Sequence, residues 1–216
     1  MTEKYDWPGW ALDQNTHGKE FDLDARMRMV QGSRLLLPLL EKYQTRMGGA
    51  VLEAGPFFEP LVIPNSGRTV IYVDNDPHVV EYLMTKYPDA ESIYGDFNQD
   101  EERLSKEIAK GNINLDAVVA SQLLNYVDYR HFFDFVKRVL GSEGLLFVNH
   151  STDYGLPAYF SAKRPKSNEE VLKELRKKGF IILEQEEIQS TNREVQPNSR
   201  LLVVGGKGEP DSGNGS

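Results

Sequence analysis

Short apolar runs recur along most of the chain, and amphipathic stretches separate them. Such runs are typical of buried parallel strands, and they predict strands at about 50–54, 69–74, 91–95, 116–121 and 144–149. Apolar residues at helical spacing predict helices near 78–87, 99–110, 129–140 and 168–178. Alternation of strands with helices predicts a mostly parallel sheet that helices cover on both faces.

Two longer apolar runs follow Gly179, at Phe180–Ile188 and Arg200–Val204, and the loop 190–199 lets them pair antiparallel. The predicted fold class is therefore α/β: a three-layer, doubly wound, mostly parallel seven-stranded sheet with a C-terminal antiparallel hairpin. Residues 206–216 are glycine-rich and polar, which predicts a disordered tail.

Residues 1–47 precede the alternating pattern and are predicted to form a helical arm or lid on a core of residues 48–205. Leucines at 35, 36, 39 and 40 have helical spacing, and Pro38 is expected to split or kink that helix. Aromatic residues crowd both the polar start and the loop after the fifth strand, at Tyr5, Trp7, Trp10, Tyr154, Tyr159 and Phe160. We expect residues 1–47 and 150–166 to roof a ligand cavity. The alternative is that Trp7 and Trp10 pin the arm to the side of the domain.

Three helix ends have local signals. Asp128 is predicted to be an N-cap, Gly141 to stop a helix, and Ser167 with Glu170 to form a capping box.

Composition narrows the class of protein. The 216 residues suffice for one domain, and 39% hydrophobic with 27% charged residues are typical of a soluble globular chain. A net charge of −8 disfavours nucleic acid as a partner. Without cysteine there is no disulfide, thiolate metal site or cysteine nucleophile. No apolar run approaches the ~18 residues of a membrane span. The polar N-terminus lacks a signal-peptide pattern, so we expect a cytoplasmic protein with no membrane partner. The oligomeric state stays open.

The first two predicted strands end in residues that suit a nucleoside. Gly55 follows the first strand and lets the backbone approach a ligand, while Asp74 ends the second and can accept hydrogen bonds from both ribose hydroxyls. The turn Gly55-Pro56-Phe57-Phe58-Glu59-Pro60 lacks the glycines that cradle a pyrophosphate. A nucleoside cofactor without phosphate therefore fits better than a dinucleotide.

In order along the chain, four blocks resemble the motifs of class I S-adenosylmethionine-dependent methyltransferases, the Rossmann-like family. They are Val51–Gly55, Val70–Asp76, Tyr94–Phe97 and Leu115–Leu124, and the turn Val139–Leu146 is similar to the entry into the family's fifth strand. Two features depart from the family. Its usual Gly-x-Gly is reduced to Gly55-Pro56-Phe57, and the Asn/Asp-Pro-Pro-Tyr/Phe signature of many adenine and amide N-methyltransferases is missing.

The resemblance implies S-adenosylmethionine as cofactor and assigns roles in its site. Glu53 would face the cofactor's amino group or order the turn beneath it. Gly55 would admit the methionine end, and Asp74 would hold the ribose, with Asp76 as the competing register.

On the adenine side of the site, the resemblance implies that Asn75 flanks the base, Asp96 accepts from its amine and Phe97 packs on its ring. Ser121 and Gln122 would line the cofactor or the substrate.

His150 is the candidate general base, because it follows the fifth strand at the edge where ligands bind. The alternative is that His150 has a structural role and that hydrogen bonds with the loop satisfy its ring nitrogens. Asp153, Tyr154, Tyr159 and Tyr126 are weaker candidates for the same cavity. No metal site is predicted, since Asp116 opens a strand instead of ending it.

The prediction for function is methylation of a small molecule at oxygen or nitrogen. The alternatives are a protein or RNA methyltransferase, a catalytically inactive module that binds S-adenosylmethionine, and a nicotinamide-dependent oxidoreductase, which the missing glycines disfavour.

Overall fold

One sheet of seven strands organises the molecule. The computed structural model describes residues 31–65, 67–110, 114–152, 159–189 and 199–207. The strands are β1 (Ala50–Ala54), β2 (Thr69–Asp74), β3 (Glu91–Tyr94), β4 (Leu115–Ser121), β5 (Leu140–His150), β6 (Phe180–Gln189) and β7 (Ser199–Lys207).

The strand order is β3-β2-β1-β4-β5-β7-β6. Strands β1 to β5 pair in parallel, and β7 runs antiparallel between β5 and β6. This confirms the predicted doubly wound, mostly parallel sheet with its C-terminal hairpin. The order reverses between β1 and β4, the point at which open α/β sheets bind ligands.

Five α-helices accompany the sheet in the described ranges: α1 (Leu37–Lys42), α2 (Pro77–Lys86), α3 (Glu101–Lys110), α4 (Tyr129–Val139) and α5 (Asn168–Lys177). Pro38 lies in the first turn of α1, directly after a 3₁₀ turn at Arg34–Leu36, so the leucine segment is split as expected. Among the described residues, no helix has the length and apolar character to cross a membrane.

The helix caps largely follow the sequence signals. The carboxylate of Asp128 accepts a hydrogen bond from the Arg130 amide and begins α4. Ser167 accepts from the Glu170 amide at the start of α5. The carboxylate of Glu170, however, accepts from the amide of Lys166, so the capping box is not reciprocal.

Several element boundaries differ from the prediction by a few residues. Gly141 does not stop a helix, because α4 has already ended at Val139 and the chain passes directly into β5. Strand β7 runs to Lys207 and so includes two residues that were predicted to belong to the tail. Residues 1–30 and 208–216, which hold most of the predicted arm and tail, lie outside the described residues.

Side chains of alternate strand residues point to opposite faces of the sheet, and each face has its own core. Leu52 and Ile71 pack with Leu104, Phe132 and Leu175, under α3, α4 and α5. On the other face, apolar residues of the same strands pack with α1 and α2; they include Val51, Val70, Tyr72, Leu40, Val79 and Leu83. Because both faces are covered, ligands have access at the ends of the strands.

Candidate functional site

A cavity of about 630 Å³ opens at the carboxyl edge of the sheet. Segments that follow β1, β2, β3 and β4 line it, at 55–57, 74–77, 95–98 and 121–123. It therefore spans the point where the strand order reverses, and its volume lies within the range of about 300–1,000 Å³ of small-molecule sites.

Most of the residues predicted to bind a cofactor border this one cavity. They are Gly55, Asp74, Asn75, Asp96, Phe97 and Ser121. Neither Glu53 nor His150 is among the described residues that line it. Asp76, Gln122, Tyr126 and Tyr159 border it as well.

Asp74 ends β2 at the wall of the cavity and is only 8% exposed. Its carboxylate accepts hydrogen bonds from the amides of Phe57 (3.3 Å) and Asp76 (3.0 Å). Burial raises the pKa of Asp74 to about 6, and these amides only partly oppose the increase. Asp76 instead caps α2 by accepting from the His78 amide at 2.9 Å. Of the two competing acids, Asp74 is thus the one without a helix to cap.

The turn after β1 has a conformation that glycine favours. Gly55 has a φ of +65°, and its amide donates to the carbonyl of Val73 at 2.8 Å. A β-carbon at Gly55 would lie 3.1 Å from the side chain of Leu123. Phe57 also has a positive φ, +56°, although it carries a side chain. The turn therefore keeps two left-handed residues at the cavity with only one glycine.

Glu53 lies beneath this turn, 2% exposed. Its carboxylate accepts hydrogen bonds of 2.9 Å from the amides of Leu61 and Val62. Burial raises its pKa to about 7 in spite of these two donors. Of the two roles that the resemblance implied, this geometry agrees with ordering the turn.

The loop after β3 brings Asp96 and Phe97 to the cavity in different ways. The carboxylate of Asp96 accepts from the Asn98 amide (2.8 Å) and from the side chain of Gln99 (3.2 Å), and it stays partly exposed. The ring of Phe97 is buried and packs edge-on against Phe132 and Phe135, at centroid distances of 5.1 and 5.2 Å. This core packing leaves less of the Phe97 ring for a ligand.

A buried polar network supports the residues after β4. Asn149 of β5 donates to the carbonyl of Gly32 (2.8 Å) and to the hydroxyl of Ser121 (3.2 Å). Its side-chain oxygen accepts from the buried guanidinium of Arg200 at 2.8 Å. Asn149 thereby connects β4, β5 and β7 behind the cavity.

Sequence reasoning missed the roles of Asn149 and Arg200. The available signal was a polar residue within each of two apolar strands. Gln122, which was predicted only to line the cavity, has a φ of +60° and donates to the hydroxyl of Ser33 at 2.8 Å. Ser33 therefore also belongs to the cavity wall.

The structure does not support His150 as the general base. The side chain is fully buried, and neither ring nitrogen has a hydrogen-bond partner among the described residues. Burial, and after it the charge of Arg200, lowers the pKa of His150 to about 3. A base at the cavity would need access to the acceptor and a pKa closer to neutral. Within the described part of the following loop, no hydrogen bond satisfies the His150 ring, and residues 153–158 lie outside the described residues.

The weaker candidates divide between described and undescribed residues. Tyr126 and Tyr159 border the cavity, while Asp153 and Tyr154 lie outside the described residues. Asp116 accepts from the Gly49 amide at 2.6 Å, near the amino end of β4 and away from the cavity. Within the described ranges, no group of three or more histidine or acidic side chains could hold a metal ion.

Several solved structures share this fold. A TehB-like S-adenosylmethionine-dependent methyltransferase from Corynebacterium glutamicum is 18% identical, with a TM-score of 0.55 over 82% of this chain and 87% of that one. The N-methyltransferase NodS from Bradyrhizobium japonicum, in complex with S-adenosylhomocysteine, is 15% identical, with a TM-score of 0.59 over 87% and 89%. The [4+2]-cyclase SpnF is 16% identical, with a TM-score of 0.60 over 82% and 81%.

No protein-family model and no curated protein sequence matches the chain. The structural likeness shows that the chain has the fold of class I S-adenosylmethionine-dependent methyltransferases.

Proposed function

We propose that the protein binds S-adenosylmethionine and transfers its methyl group to oxygen or nitrogen of a small molecule. The observation that carries the proposal is the cavity in which Gly55, Asp74 and Asp96 meet at the switch point of a methyltransferase fold. Each of these residues comes from a different strand end, so their meeting is a property of the assembled sheet.

The residues present fit the cofactor chemically. The buried carboxylate of Asp74 gains from two hydroxyl donors of a ribose, since its burial is otherwise only partly offset. Asp96 holds a partly exposed carboxylate that can accept from an adenine amine. A side chain at Gly55 would be strained by the positive φ and crowded by Leu123, so glycine at this position gives the methionine end bare backbone.

Bound S-adenosylmethionine would supply a methyl group: its bond to sulfur would break, with the electron pair passing to sulfur, as a lone pair of the acceptor oxygen or nitrogen forms the new bond and the acceptor's proton passes to water. The protein's part is to align acceptor and methyl group and to exclude water. On the acceptor side, Ser121, Gln122 and Tyr126 supply polar contacts. Asn149 holds Ser121 in place through its hydrogen bond.

Two measurements test the proposal. Isothermal titration calorimetry of the full chain with S-adenosylmethionine, S-adenosylhomocysteine and NAD should give binding for the first two only. Incubation with methyl-labelled cofactor and a metabolite extract should then label a small molecule. Label in the protein or RNA fraction would instead support a protein or an RNA acceptor. Of these two, RNA is disfavoured by the net charge of −8. Absence of cofactor binding by the folded chain would refute the proposal.

A protein that binds the cofactor without transferring methyl groups is the second candidate. Pro56 removes one backbone donor from the turn, and His150 is buried away from the cavity. Calorimetric binding of S-adenosylmethionine without label transfer to any fraction would favour this candidate.

A further inference from the structure

The turn after β1 places two unusual side chains at the cavity. Phe57 and Glu59 both border it. Phe57 stands where the phosphate-binding pattern Gly-x-Gly-x-x-Gly has its second glycine, and Glu59 follows two residues later. An aromatic ring and a carboxylate are unsuited to phosphate. Both side-chain types are, however, attracted to cations.

The backbone at Phe57 indicates that this arrangement is tightly specified. A residue with a β-carbon meets steric opposition in the left-handed region, and yet Phe57 has a φ of +56°. Its amide donates to Asp74, and its ring lies 4.3 Å from that of Phe58. Strained residues of this kind are concentrated at ligand sites, where the surrounding structure maintains them.

The charged side chains that line the cavity have one sign, although Lys86, outside the lining, interacts with the charge of Glu59. Among the described lining residues the acids are Glu59, Asp74, Asp76 and Asp96, and there is no lysine, arginine or histidine. Walls of low dielectric strengthen the field inside such a cleft. A ligand with net positive charge is therefore favoured over a neutral ligand of the same shape.

We propose that Phe57 and Glu59 attract the positive charge on the ligand's sulfur, so that the site binds S-adenosylmethionine more tightly than S-adenosylhomocysteine. The inference rests on the proposed function and concerns the same site. The sulfonium carries a positive charge that the thioether product lacks, and loss of the methyl group removes that charge. The turn therefore holds the methyl donor and releases the demethylated product.

Calorimetry on the full chain tests this inference through the ratio of two dissociation constants, S-adenosylhomocysteine over S-adenosylmethionine. We expect the ratio to exceed one in the native protein and to approach one as salt increases. Glu59→Gln should lower the ratio about three- to tenfold, mainly because S-adenosylmethionine binds less tightly. Phe57→Leu should act in the same direction. Phe57→Gly removes the ring while it relieves the backbone, so it separates the ring's effect from a folding defect.

Glu143→Gln is the matched control, since Glu143 is exposed and does not border the cavity. It should leave the ratio at the native value. A native ratio of one or below, or a ratio that neither the Glu59 nor the Phe57 variants change, overturns the inference while the proposed function stands. If the folded native chain binds neither compound, both the inference and the proposed function are refuted.

Discussion

Replacing Glu53 with glutamine tests whether burial or hydrogen bonding has the larger effect on the ionisation of Glu53, which lies beneath the turn after β1. The carboxylate is 2% exposed, and burial favours its protonated form. The amides of Leu61 and Val62 donate to it and favour the ionised form. Burial is the larger effect, and it raises the pKa of Glu53 from 4.5 to about 7.

The sign of the effect on stability follows from the proton balance. Between pH 4.5 and about 7 the folded chain holds a proton on Glu53 that the unfolded chain has lost. The free energy of unfolding therefore falls as pH rises through this window, and above it Glu53 causes no further change with pH. At about 1.4 kcal/mol for each pH unit between the two pKa values, the loss amounts to roughly 3 kcal/mol.

Glu53→Gln removes this titration, because the amide is neutral at every pH. Its nitrogen cannot accept from a backbone amide, so the variant also carries a penalty that does not depend on pH. The measurement is the free energy of unfolding in urea, followed by circular dichroism from pH 4.5 to 8 for both proteins. The variant minus native difference should rise by about 3 kcal/mol across this range.

The slope of that difference decides the question, whatever the constant penalty. Glu143→Gln, at an exposed position, controls for the change in net charge. A flat difference for Glu53→Gln over this range would mean that the Leu61 and Val62 amides balance or outweigh burial, and it would refute the reasoning.

Three further predictions concern the site and its support. Asp74→Ala should weaken S-adenosylmethionine binding by about 1–3 kcal/mol, because the ribose hydroxyls lose their acceptor. The affinity of the native protein should also fall from pH 8 to pH 5, because Asp74, with its pKa of about 6, becomes protonated. Calorimetry that finds neither effect would contradict the assignment. Asn149→Ala should lower the free energy of unfolding in urea by about 2–3 kcal/mol, because Gly32, Ser121 and Arg200 all lose a hydrogen-bond partner. Ser121→Ala removes only one of these hydrogen bonds and should lower it by about 1 kcal/mol or less. Equal losses for the two variants would show that Asn149 does not connect the three strands. Deleting residues 1–20 should abolish turnover and leave cofactor binding intact; full activity would show that the arm is not part of the site, and loss of folding would favour the pinning alternative.

Much of the fold could be predicted because burial in a parallel sheet leaves a local mark. Strands β1 and β2 are mostly apolar, and their predicted bounds agree with the structure. The helix caps at Asp128 and Ser167 are local as well, since each side chain bonds within three residues of itself.

The candidate site could be located for a topological reason. Gly55, Asp74, Asp96 and Ser121 each follow or end a strand, and parallel strands bring their carboxyl ends to one edge. Once the sheet was predicted, the meeting of these residues followed without knowledge of any contact between them.

The tertiary structure alone decided which polar residues face the cavity and which are buried. Glu53 and His150 both lie at the ends of apolar strands, as Asp74 does, but the chain packs over them. Desolvation then raises the pKa of Glu53 and Asp74 and lowers that of His150. No local pattern distinguishes these outcomes, because burial depends on the segments that cover each strand end.

By itself, then, the sequence determined the fold class and the edge of the sheet at which the cavity lies, and it predicted a nucleoside ligand for that cavity. The tertiary structure decided the strained backbone of Phe57, the placement of β7 between β5 and β6, and the link from Asn149 to Arg200. The physical reason is range. Apolar periodicity and turn residues act over a few neighbours, whereas hydrogen bonds and desolvation between distant segments arise only once the sheet has assembled.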